Sequence, residues 1–332
     1  MKHRNHSEKY HVRNRTKSLL ALLLILALAL AGLSGCGGKR TYKKEQNTGE
    51  HAATYPYVVR TPSAELYLAQ EDIELLGEEE FYAGMNRLLE NLEADFQDAR
   101  DELKAYLRVE IPVIKIYTDF SGRTEKGRRP EFSGLYNDNT VDIHIFHDWD
   151  HAAVVLLHEY THYLSIHCAR VVPETDFWRE ALADYISKIR CKNRMAMDVN
   201  YGVTDEALDY YRERGAVTED GKLDLRRFYY GTAAAYRMKE NVGAPYLAVS
   251  QAATYLTEAQ LTAPIMNEVS YYEAACIFEY LVDHYGEKTV FSNMNLNGKR
   301  MTEVYGKTFI EICEEWTAEN LRKCEELGII LK

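Results

Sequence analysis

The chain has 332 residues, 40 of them basic and 51 acidic, for a formal net charge of −11. Six of those bases and one acid lie in residues 1–36, which leaves 34 bases against 50 acids, a net of −16. So acidic a remainder repels phosphate backbones and anionic lipid, excluding nucleic acid as a partner and a basic patch as a membrane anchor.

The chain opens with Lys2, Arg4, Lys9, Arg13, Arg15 and Lys17 against Glu8, then an uncharged apolar run from Leu19 to Leu33. That run is shorter than the about 20 residues a membrane span needs, and reads as a targeting segment. It ends in Leu33-Ser34-Gly35-Cys36, which resembles the lipobox of bacterial lipoproteins. The resemblance implies removal of residues 1–36 as a signal peptide, lipidation of Cys36 and an extracytoplasmic protein held to the cell membrane by that lipid. An uncleaved N-terminal anchor is the rival reading, and it places the globular part on the same side. Residues 37–61 are polar and read as a linker. The five later cysteines, Cys168, Cys191, Cys276, Cys313 and Cys324, form no CxxC pair and read as small buried apolar residues, with one disulfide left open.

From Glu78 to Leu107 apolar residues recur at steps of three and four, which predicts a long amphipathic packing helix. Ile111–Tyr117 alternates like a strand, a basic loop covers Ser121–Pro130, and Ser133–Asn139 has the chemistry of a turn. Thr140–Phe146 alternates again, and Asp148 or Asp150 can cap the helix that follows. Beyond it the pattern predicts helices over Asp176–Arg194, Asp205–Arg214, Leu225–Asn241, Pro245–Glu258, Ser270–Tyr285 and Lys307–Leu327. The expectation is α+β: an α/β half over residues 62–165 and a helical half over 166–332.

His158-Glu159-Tyr160-Thr161-His162 is the strongest chemical signal. On a helix, residues four apart share a face, so both imidazoles can reach one ion, and Glu159 lies beside them as a base. A catalytic zinc takes three protein ligands, and Glu180 stands eighteen residues after His162. Asp184, four further on, can accept the outer N–H of an imidazole.

This pattern, with Trp178-Arg179-Glu180-Ala181-Leu182-Ala183-Asp184-Tyr185 around it, resembles the gluzincin metallopeptidases, the group of thermolysin and the zinc aminopeptidases. The resemblance implies a thermolysin-like layout, Zn²⁺ on His158, His162 and Glu180, and cleavage of peptide or protein substrates. Glu159 would take a proton from a metal-bound water. Tyr271, with Tyr272 beside it, matches the place of an oxyanion-stabilising tyrosine, and Thr140–Phe146 that of the edge strand on which substrates lie. The metzincin alternative would need a glycine at position 165 and a histidine at position 168, where the chain has Ser165 and Cys168. No Gly-x-Met-Glu-Asn exopeptidase motif occurs, so aminopeptidase activity is unsupported. A lipoprotein that binds a peptide or wall fragment without cutting it is the alternative reading.

Overall fold

The computed structural model describes residues 42–49, 51–108, 110–122, 133–238, 255–257, 268–295 and 298–331, with the backbone alone for 255–257, 268 and 298–300. The expected signal peptide, Cys36 and most of the basic loop lie outside these residues, as does most of the helix expected at Pro245–Glu258. No helix among the described residues is long and apolar enough to cross a membrane.

The architecture is α+β. Its strands are β1 (Lys44–Gln46), β2 (Tyr57–Arg60), β3 (Ala64–Leu68), β4 (Ile114–Asp119), β5 (Gly134–Asn137) and β6 (Asp142–Phe146). They form one mixed sheet in the order β1-β2-β3-β4-β6-β5. The β3–β4 and β4–β6 pairs are parallel, the others antiparallel. Two strands therefore arise from the stretch expected to be a linker. Tyr57, Val58 and Val59 supply the apolar content that lets them join the sheet, and Val58 and Val59 are fully buried.

A second correction bears on the site. Thr140–Phe146 is not the edge: its β6 part is an inner strand between β4 and β5, and β5 is the edge. The turn residues of Ser133–Asn139 are themselves extended up to Asn137, and the reversal falls later, at Val141, where φ is +57°.

The helices of the first part are α1 (Gln70–Leu76), α2 (Glu78–Leu103) and α3 (Trp149–His162). α2 buries Phe81, Met85, Leu88, Leu92, Phe96 and Ala99, the stripe its periodicity predicts. On the sheet, Leu66, Ile116 and Ile143 align in register and are buried. The opposite face carries the row Tyr67, Tyr117 and His144, with successive ring centroids 4.9 and 5.1 Å apart.

The second part holds α4 (Asp176–Asp184), α5 (Arg194–Asp198), α6 (Asp205–Glu213), α7 (Leu225–Met238), α8 (Tyr271–Tyr285), α9 (Glu287–Phe291), α10 (Gly298–Tyr305) and α11 (Phe309–Glu326). A small antiparallel pair, β7 (Tyr255–Thr257) with β8 (Glu268–Ser270), replaces the end of the helix expected up to Glu258. The helix expected over Asp176–Arg194 ends at Arg190, where Cys191 turns extended, and the left-handed Asn193 then caps α5. All five described cysteines are buried and free, as their apolar surroundings suggested.

Candidate metal centre

α3 is fixed before it reaches the motif. The Asp148 side chain caps it by accepting the His151 N–H at 2.9 Å. The two central motif residues then anchor the helix. Tyr160 stacks on Phe96 of α2 with centroids 3.6 Å apart, and its hydroxyl accepts from Arg100 at 3.0 Å. Thr161 is fully buried and returns its hydroxyl to the Leu157 carbonyl. With Tyr160 committed to the α2 side, helical geometry turns His158, Glu159 and His162 toward the cleft.

α4 brings the third candidate ligand. Thr175 caps it, and Phe177, Trp178, Ala181 and Leu182 hold it in the core. Glu180 and Asp184 are left facing α3. Both ligand helices change to π-helical hydrogen bonding at once after their last functional residue, over Tyr163–Cys168 and Tyr185–Arg190. Such widened turns are frequent at functional sites because they rotate the following side chains without ending the helix.

His158 Nε2 lies 3.0 Å from His162 Nε2 and 3.0 Å from Glu180 Oε2, and His162 Nε2 lies 3.4 Å from the same oxygen. A tetrahedral zinc with bonds of about 2.0–2.1 Å holds its ligand atoms about 3.3–3.4 Å apart, so the three atoms stand near the spacing an ion requires. Among the described residues this trio is the only group of three or more His, Cys, Asp or Glu side chains convergent enough to hold a metal. His162 Nδ1 is buried and has no hydrogen-bond partner among them. The donor set therefore fits a borderline-soft dication.

Three further histidines among the described residues are engaged elsewhere. His151 bonds the Asp148 cap, and His144 is hydrogen-bonded by its Nδ1 to Asp119. His167 is exposed and stacks on Tyr163, while Cys168 is buried, so neither completes a metzincin set.

The Glu180 carboxyl is held well below its ordinary range. Burial pushes it up, but the adjacent His162 and hydrogen bonds from both imidazoles outweigh that. Burial also opposes charge on His158, yet the Asp184 and Glu180 carboxylates raise it well above 6.5.

A buried layer backs the candidate ligands. His158 Nδ1 donates to Asp184 Oδ1 at 2.7 Å, as the spacing predicted. Tyr229 of α7 donates to Asp184 Oδ2 at 2.9 Å. Lys188, also buried, donates to the Val154 carbonyl of α3, and burial pushes its ammonium down to about 8 against the pull of Asp184, Glu159 and Asp95.

Glu159 is 8 % exposed, and its Oε2 accepts the Tyr136 N–H of edge strand β5 at 2.7 Å. Tyr271 opens α8, and its ring lies 6.5 Å from that of His158. Tyr272 instead is buried against Tyr229 and Tyr236, a packing role. The geometry thus brings together His158, Glu159, His162, Glu180, Asp184 and Tyr271.

The chain matches no protein-family model, no curated protein and no solved structure.

Sequence reasoning missed Tyr136, Lys188 and Tyr229. Lys188 had a signal, since Glu180, Asp184 and Lys188 fall four apart on one predicted face. Tyr136 acts through its backbone, and Tyr229 is one of 25 tyrosines, so neither stood out.

Proposed function

We propose that this chain is a zinc-dependent peptidase of gluzincin type, acting outside the cytoplasm and tethered by lipid on Cys36. The observation that carries the reading is the convergence of His158 Nε2, His162 Nε2 and Glu180 Oε2 within 3.0–3.4 Å of one another, with Glu159 beside them. The likeness to gluzincins rests on this ligand set and its order in the chain. The thermolysin-like layout is part of the proposal.

Two neutral imidazoles and one carboxylate would hold Zn²⁺ with net positive charge left over. An ion so held would supply Lewis acidity toward a substrate carbonyl and a water, whose pKa would fall toward about 7. Glu159 takes a proton at its carboxylate from the water whose oxygen attacks the carbonyl carbon, and gives it to the amine nitrogen as the C–N bond breaks. The Tyr136 N–H steadies one Glu159 oxygen while the other works. Asp184 keeps the Nδ1 proton on His158, so that Nε2 presents its lone pair to the cleft. Tyr271, whose ring lies 6.5 Å from that of His158, would donate its phenol to the oxyanion formed at the substrate carbonyl. The outer edge of β5, beside Glu159, offers main-chain groups to an extended peptide.

The test is chelator-sensitive cleavage of a denatured protein mixture by the purified protein, with zinc measured by elemental analysis. The expected result is one zinc per chain, cleavage lost with chelator and restored by zinc, and no bound zinc in Glu180→Ala. Stoichiometric zinc without cleavage would favour the non-catalytic peptide-binding reading. Zinc retained by Glu180→Ala would reject the ligand set.

A further inference from the structure

Behind the metal ligands runs a hydrogen-bond chain whose direction is fixed by chemistry. An ionised carboxylate only accepts, so Asp184 takes the His158 Nδ1–H on one oxygen and the Tyr229 O–H on the other, at 2.7 and 2.9 Å. The Tyr229 proton being committed, the 3.1 Å contact between the Tyr201 and Tyr229 hydroxyls must run from Tyr201 to Tyr229. Asp184, Tyr201 and Tyr229 are 4, 6 and 1 % exposed, so water offers no substitute donor.

The backbone gives an independent indication. Asn200 and Tyr201 are consecutive left-handed residues, with φ of +47° and +58°. An aromatic residue rarely adopts that conformation, and such strain persists where the surroundings impose it. Here it carries the Tyr201 ring under the Lys188 ammonium, 4.9 Å from the ring centroid, and its hydroxyl onto Tyr229.

We propose that Tyr229, and Tyr201 through it, are positioning residues for the metal ligand His158: their hydroxyls lock the Asp184 carboxylate in the orientation that aims the imidazole. The inference rests on the metal-centre reading above. Asp184 has two rotatable bonds, and one hydrogen bond to His158 leaves it free to swing about the contact. A second, on the opposite oxygen, removes that freedom. Outer partners of this kind, when removed, weaken metal binding about 10–100-fold.

The experiment measures zinc dissociation constants by competition with a chromophoric chelator, alongside the thermal midpoint of each metal-free protein. Tyr229→Phe keeps the ring's volume and removes the hydroxyl; its zinc affinity is expected to fall about 10–100-fold. Tyr201→Phe is expected to weaken zinc by a smaller factor. The double variant should bind no more weakly than Tyr229→Phe, because Tyr201 acts only through Tyr229. Plain packing roles would instead lower the metal-free midpoint and leave zinc affinity alone.

Parent-like zinc affinity in Tyr229→Phe overturns the inference, as does full additivity in the double variant. Should Tyr229→Phe fail to fold, Tyr201→Phe decides, and unchanged affinity there overturns the relay. Parent protein and Glu180→Ala are run in parallel. A parent without zinc sinks the metal centre and this inference together; zinc bound by the parent, lost in Glu180→Ala and unchanged in Tyr229→Phe, sinks this inference alone.

Discussion

The Tyr136 amide donates to the Glu159 carboxylate across 2.7 Å, so the edge of the sheet holds the proposed base on α3. The approach is possible because the preceding edge residue but one is glycine. A Cβ on Gly134 would stand 2.8 Å from Val155 Cγ2 and 3.0 Å from Glu159 Cγ. Val155 is β-branched and stiff on its helix, so Glu159 is the side chain that must give way.

Gly134→Ala is therefore expected to cut turnover on the order of 10²-fold, the usual cost of displacing a catalytic group by about an ångström. Zinc content should stay at the parent level, because none of the three ligands touches Gly134. Kinetics and elemental analysis on the same preparation check this, and parent-like turnover would refute the close approach.

Glu159→Gln tests the base itself. The amide keeps the size of the side chain and can still accept the Tyr136 N–H, but it cannot take a proton at pH 7. Turnover should drop at least about 10²–10⁴-fold while zinc remains stoichiometric. Normal turnover would remove Glu159 from the mechanism.

The legible part of the site was the part built on helical periodicity. His158, His162, Glu180 and Asp184 all follow from spacings of four on two helices, and each stands where that spacing puts it. What escaped depends on tertiary approach. The Tyr136 contribution is a main-chain N–H, identical in every residue but proline. β5 was hidden because Gly134-Leu135-Tyr136-Asn137 carries turn residues yet pairs with β6 as an edge strand. β1 was hidden because a polar exposed strand such as Lys44–Gln46 has no buried face to impose alternation, and β2 because its two buried residues, Val58 and Val59, are adjacent and do not alternate. At this level pairing decides, and pairing leaves little trace in composition.

The crossing of α2 over α3 is as tight as the contact at Gly134. A Cβ on Gly84 would lie 2.4 Å from Trp149 Cδ1 and 2.7 Å from its Cγ. The indole cannot retreat, since Phe81 and Phe120 wall it at centroid distances of 5.1 and 4.9 Å. Alanine would favour the helix by about 1 kcal/mol. Overpacking, at about 1–3 kcal/mol, wins where the neighbours are rigid rings. Gly84→Ala should lower the urea midpoint, and a higher midpoint would show that the helices are farther apart.

Lys188 gives the protein a pH dependence of unusual sign. Burial holds its ammonium at about 8, below the ordinary 10.5. Between those values the folded protein has released a proton that the unfolded chain still binds, so unfolding takes up a proton and stability rises with pH. The Lys188 contribution should grow by roughly 1.5 kcal/mol from pH 8 to pH 9.5. Urea unfolding of the parent and of Lys188→Met across that range isolates it, since other titrating groups are common to both. The expected result is a parent-minus-variant free energy that climbs with pH. A difference that stays flat from pH 7 to 9.5 would mean that Lys188 is as well solvated folded as unfolded, and that Asp184 is not backed by a buried cation.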